Sequence, residues 1–103
     1  MTKPSKPFKI TSDEMLRNPE YASMYLAECM ADDDTDLFKL ALKNVADAQG
    51  GVAEIAQKSS LGRQNLYKIL SAKTDPKMGT LKKILEAMGL ELSISPRKTE
   101  VYG

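Results

Sequence analysis

Three features of this chain predict an all-α fold. Apolar residues recur at three- and four-residue spacing along most of its 103 residues, which lines them up on single faces of helices. Breaks rich in Gly, Pro and Asp cut that pattern into segments of helical length. The alternation expected of strands is confined to "LELSI" near the C-terminus and to the three residues "FKI" near the N-terminus. A chain of this length makes one small domain with a modest core.

The elements follow in order. "TKPSKP" is rich in Pro and Lys, so residues 1–7 read as a flexible arm. Residues 8–50 form an N-terminal helical region. "FKI" reads as a very short strand, and Ser12 with Asp13 and Glu14 is a helix-start signal opening the short turn "DEMLRN". Pro19 then takes the first helical position of "PEYASMYLAECMADDD". Tyr21, Met24, Tyr25 and Cys29 fall on one stripe of it, and Ala22, Leu26 and Met30 on the adjoining one. The next helix starts on Asp34 or Thr35 and turns Leu37, Leu40, Ala41 and Val45 inward, widened by Phe38 and Leu42. Gly50 stops it.

Residues 51–96 read as three shorter helices. "VAEIAQKSS" faces Val52, Ile55 and Ala56 inward, "SSLG" turns the chain, and "RQNLYKILSA" buries Leu66, Ile69 and Leu70. After the loop "KTDPKMG" the last helix, "TLKKILEAM", buries Leu81, Ile84, Leu85 and Met88 before Gly89 ends it. "LELSI" is the expected short C-terminal strand, Pro96 closes it, and residues 97–103 form a tail. The region 51–96 packs with 8–50 as one compact domain.

Composition narrows the chemistry. The chain has no histidine and a single cysteine, Cys29, which removes the commonest general base, His-containing triads, internal disulfides and cysteine-based metal sites. No phosphate-binding glycine motif is present, so the expectation is no catalysis, no cofactor and no metal. The cluster Asp32, Asp33, Asp34 and Asp36 lacks the Gly and terminal Glu of an EF-hand loop, and acids suit a helix N-terminus. No apolar run nears a membrane span and no signal peptide is evident, so the expected location is cytoplasmic and away from membranes.

The net charge of +1 hides an asymmetry: residues 1–50 carry six basic and nine acidic side chains, residues 51–103 nine and five. Within 58–83, seven basic residues face Asp75 alone. An acidic half and a basic half suggest two different partners, the basic half meeting a polyanion.

The register of "VAEIAQKSSLGRQNLYKILSA" gives that polyanion a mode of recognition. Ala56 keeps the crossing of two helices close, Leu61 plugs the turn five residues on, and Leu66 buries the second helix five residues later. Two short helices joined this way make a helix-turn-helix, whose second helix lies in the major groove of double-stranded DNA. Arg63, Gln64, Asn65, Tyr67 and Lys68 then point outward. Arg pairs bidentately with guanine, Gln or Asn with adenine, and Lys68 reaches phosphate or guanine. The pair Gly50–Gly51 leaves amides suited to an anion at the next helix start, although a helix-ending role for Gly50 is the commoner one.

"GGVAEIAQKSSLGRQNLYKILSAKTDPKMGTLKKILEAMGLELSI" resembles the helix-turn-helix domain of the Xre/Cro repressor superfamily. With "DEMLRNPEYASMYLAECMADDDTDLFKLALKNVADAQG" before it, the chain is similar over residues 8–96 to the addiction-module antidote proteins, the HigA-like antitoxins of type II toxin–antitoxin pairs. The resemblance implies a five-helix, lambda-repressor-like fold with an N-terminal helical extension. It also implies a dimer that represses its own operon and binds a RelE/ParE-like toxin. On that basis Gly62, Arg63, Gln64, Asn65, Tyr67 and Lys68 read or clamp an operator, while Lys73, Lys77, Thr80 and Lys83 hold flanking phosphates. Ser60 stands where the family's turn often has Gly, Gly62 where a Ser or Thr cap is common, and Lys77 where a Ser cap is common.

The acidic half then serves the toxin or the dimer partner, with Tyr21, Met24 and Tyr25 as candidate partner-binding residues that core packing would equally explain. Leu92 and Ile94 are the candidate dimer residues. Their strand pairs with Phe8–Ile10 within the chain or with its copy across a two-fold axis. A solitary regulator without a toxin, or an interaction module that no longer touches DNA, are the alternative readings.

Overall fold

The computed structural model describes residues 13–71 and 75–96, and among these it contains six helices. They are α1 (Asp13–Arg17), α2 (Pro19–Met30), α3 (Thr35–Ala48), α4 (Val52–Ser59), α5 (Arg63–Ser71) and α6 (Met78–Ala87). The all-α expectation holds. The segment "DEMLRN" forms a helix rather than only a turn, held because Leu16 is buried at 3% exposure. Phe8–Ile10 lies outside the described residues.

α3 is the hub: α1, α2, α4 and α5 all pack on it, and α6 closes the far side against α4. Its apolar stripe is wide enough for this, because Phe38, Ala41, Leu42, Val45, Ala46 and Ala48 are all buried. Fully burying one such Leu or Val contributes about 1.5–3 kcal/mol. Lys39 is also buried, with its ammonium 3.5 Å from the exposed Asp36 carboxylate. Its methylene stem lies along apolar surface while the charge reaches for a carboxylate. Leu40, expected inward, is instead 53% exposed. The buried arc runs through 38, 41, 42, 45 and 46, and Leu40 lies on its far side.

Caps fix the helix ends. Asn18 accepts hydrogen bonds from the Glu20 and Tyr21 amides at the head of α2, with Pro19 in the first helical position as expected. Asp34 caps α3 by accepting from the Asp36 amide at 3.0 Å, and Asp32 accepts from the Asp34 amide at 2.9 Å. Two of the four clustered aspartates are therefore helix-start hardware. At the other end of α3, Gly50 adopts φ +111° and the Gly51 amide donates to the Ala46 carbonyl at 2.8 Å. Because that amide closes α3, it is not free to bind an anion, and the C-terminal capping role of Gly50 prevails over the phosphate role. The Arg17 Nε–H donates to the Ala48 carbonyl at 3.0 Å, setting a cation at the negative end of α3. Gln49 Nε2 donates to the Met88 carbonyl at 3.2 Å and so ties the end of α3 to the end of α6.

The expected C-terminal strand is absent: among the described residues there is no strand, and 90–96 run without regular structure. The Leu90 amide donates back to Leu85 to finish α6, and Leu90 and Leu92 pack against the core. Ile94 is 99% exposed. Alternating residues make a strand only when a neighbour accepts the backbone hydrogen bonds, and no described strand pairs with this segment.

Candidate functional site

The site is built around a short corner. α4 ends at Ser59, Ser60 to Gly62 turn the chain, and α5 begins at Arg63. Ser60 takes the left-handed conformation, φ 62° and ψ 23°, which lets the Leu61 amide reach back to the Ala56 carbonyl at 3.2 Å. This is the helix-ending geometry usually assigned to Gly, here adopted by a serine. The Gly62 carbonyl accepts from the Leu66 amide at 3.0 Å and so opens α5.

One side chain anchors α5. Leu66 is fully buried, Ile69 and Leu70 are half-buried beside it, and α5 thereby packs on both α3 and α4. With about 100° between successive residues, positions 64 and 68 point nearly opposite Leu66, 65 and 67 stand at the two sides, and 63 lies nearer the Leu66 side, its side chain still exposed. Gly62, Arg63, Gln64, Asn65, Tyr67 and Lys68 are all exposed. The Arg63 guanidinium sits 5.9 Å from the centroid of the Tyr67 ring, at the outer range of a cation–π contact. The Ser71 hydroxyl donates to the Tyr67 carbonyl at 2.9 Å. The face thus offers amide and guanidinium donors, a carboxamide acceptor pair and an ammonium, with no carboxylate on α5.

The flanking cations divide. Lys77 is exposed at the N-cap of α6, where it provides no side-chain capping bond. Thr80 is half-buried in that helix, which starts two residues earlier than its "TLKKILEAM" pattern suggests. Lys83 lines a shallow pocket of about 260 Å³ with Lys58, Ser59, Glu86 and Ala87. Lys58, which spacing along one helix could not pair with Lys83, is brought there by α4 packing on α6; it also approaches Glu54 at 3.7 Å. Lys73 lies outside the described residues.

The acidic half is arranged differently from its expected stripe. Tyr25 is buried at 8% exposure and its phenol oxygen accepts from Asn44 Nδ2 at 3.0 Å. Burial pushes its ionisation above the ordinary phenol range, partly opposed by the Asn44 bond. Tyr25 is therefore packed in the core. Tyr21 is half-buried against the core. Met24 is 67% exposed, and of the three it alone presents itself fully to solvent. The Cys29 thiol is 1% exposed and pushed up by burial first, with Glu28 and Asp32 acting the same way. Among the described residues no helix is long and apolar enough to cross a membrane.

A family model described as "Probable addiction module antidote protein" matches residues 5–96, nearly the whole chain. The chain belongs to this family. A relative from Haemophilus influenzae, described as an uncharacterized protein, is 31% identical over 94 residues, covering 91% of this chain and 94% of its own length. No solved structure gives a significant match. In the antidote family match, both the α4–α5 corner and the acidic helices α1–α3 lie inside the shared region.

Proposed function

We propose that this antidote-family protein is a sequence-specific DNA-binding antitoxin that represses its own operon as a homodimer and neutralises a RelE/ParE-like toxin. The observation that carries the DNA half is the outward face of α5: Arg63, Gln64, Asn65 and Lys68 stand exposed around a helix pinned from below by Leu66. A helix held so, entered through a three-residue turn from α4, supports reading the pair as a helix-turn-helix of Xre/Cro type. Its first-turn side chains reach base edges, and Lys77 at the cap of α6 and Lys83 within α6 reach the phosphates. The toxin half rests on family membership and on the acidic balance of residues 1–50, which suits a basic partner.

The test is a footprint and salt titration on the DNA upstream of the gene. Arg63→Ala and Gln64→Ala each weaken specific binding by about 1–3 kcal/mol and leave non-specific binding nearly intact. Lys83→Ala weakens binding to every sequence alike and flattens the salt dependence. Should Arg63 and Gln64 behave like the lysine, α5 does not read bases. Absence of any salt-dependent binding in the wild type would reduce the protein to an interaction module.

A further inference from the structure

A second face of the molecule has the opposite chemistry to α5. Between α2 and the segment 90–93 runs a groove of about 350 Å³, and Met24, Met30 and Leu92 are among the side chains that line it. Met24 and Met30 are 67% and 44% exposed, so two flexible thioether side chains form a soft apolar wall open to solvent. Such methionine surfaces repack around whatever apolar group enters. The groove continues, through shared walls at Ser23, Leu90 and Glu91, into a second depression whose charged residues are Glu20, Glu86 and Glu91. Neither depression is lined by a lysine or arginine among the described residues, and none of the three glutamates makes an ion pair with a described residue.

From this continuity of an apolar wall with an all-carboxylate end, we infer that the groove is the seat of a basic, amphipathic segment of a partner protein. An apolar side chain of that segment lies among Met24, Met30 and Leu92, and its Lys or Arg residues meet Glu20, Glu86 and Glu91. Nucleic acid is excluded from this face by the charge of the carboxylates. The inference rests on the antitoxin reading for the partner's identity, and it moves the docking surface off the Tyr21–Tyr25 stripe to the open side of α2.

The experiment uses the full chain and the purified product of the gene beside it, with binding followed by calorimetry and operator binding by gel shift on the same samples. Met24→Asp and the double reversal Glu20→Lys/Glu91→Lys alter exposed side chains, so circular dichroism is expected to match the wild type. Each lowers affinity for the neighbouring protein at least tenfold. Leu40→Asp, exposed on α3 and outside the groove, leaves that affinity unchanged, and all three retain operator binding. A complex of undiminished affinity in both groove variants overturns the inference while leaving the antitoxin reading intact. No complex with the wild type overturns both. If Met24→Asp instead halves the mass seen by light scattering, the groove joins two copies of this chain and the inference is wrong.

Discussion

Ser60 is the single non-glycine residue with a positive φ among those described, and replacing it with glycine tests the account of the corner between α4 and α5. An L-residue held in the left-handed region costs roughly 1–2 kcal/mol. Ser60→Gly removes that strain, but the greater freedom of glycine in the unfolded chain returns about 0.5–1 kcal/mol of it. The hydroxyl is exposed and has no hydrogen-bond partner among the described residues, so no contact is lost. The net expectation is a gain of about 0.5–1 kcal/mol, which for a domain of this size raises the melting temperature by roughly 2–8 °C. Ser60→Ala keeps the strain and is expected to change stability little. Urea denaturation is the assay, read as a shift of the midpoint at constant slope. A glycine variant no more stable than the alanine variant would refute the strain argument, because the two differ mainly in whether a Cβ must sit at φ 62°.

Two further expectations concern the core and the C-terminal segment. Burial raises the pKa of both Tyr25 and Cys29, so the folded state holds their protons to higher pH than the unfolded chain does. Their contribution is complete below the ordinary thiol and phenol ranges and declines as pH rises through and above them. The unfolding free energy therefore falls from about pH 9 upward, and Tyr25→Phe removes the phenol's share of the fall; an alkaline slope identical in Tyr25→Phe would count against it. Ile94 is almost wholly exposed on a segment with no strand partner, so if it is a dimer contact, Ile94→Asp halves the solution mass without lowering the melting point of the monomer. Light scattering decides, and an unchanged dimer would release Ile94 from that role.

Much of the architecture could be read from residue order. Asp34, Pro19 and Gly50 act as the start and stop signals that their chemistry suggests, because caps are local and depend on a few neighbouring atoms. The register Ala56, Leu61, Leu66 was legible for a similar reason, since a tight corner admits apolar residues at few positions. Facing was harder on α2 and α3. Both are apolar over a wide arc, so the sequence permits several orientations and tertiary packing selects one: it buries Tyr25 and leaves Met24, Met30 and Leu40 outside. "LELSI" misled because alternation describes a face, and a strand additionally needs an adjacent backbone. The candidate groove was hidden entirely, as its carboxylates come from α2, α6 and the segment after α6.

The position of α3 at the hub also sets a clock. As the chain leaves the ribosome, α1 and α2 can close on α3 once residue 48 has emerged, but the surface of α3 that α4 and α5 cover waits for residue 71. At about 5–20 residues per second that wait lasts on the order of one to five seconds. Until α4 and then α5 emerge, the nascent protein carries an apolar seam, covered only in stages, along the longest of its described helices. The helices made later complete the core of those made earlier.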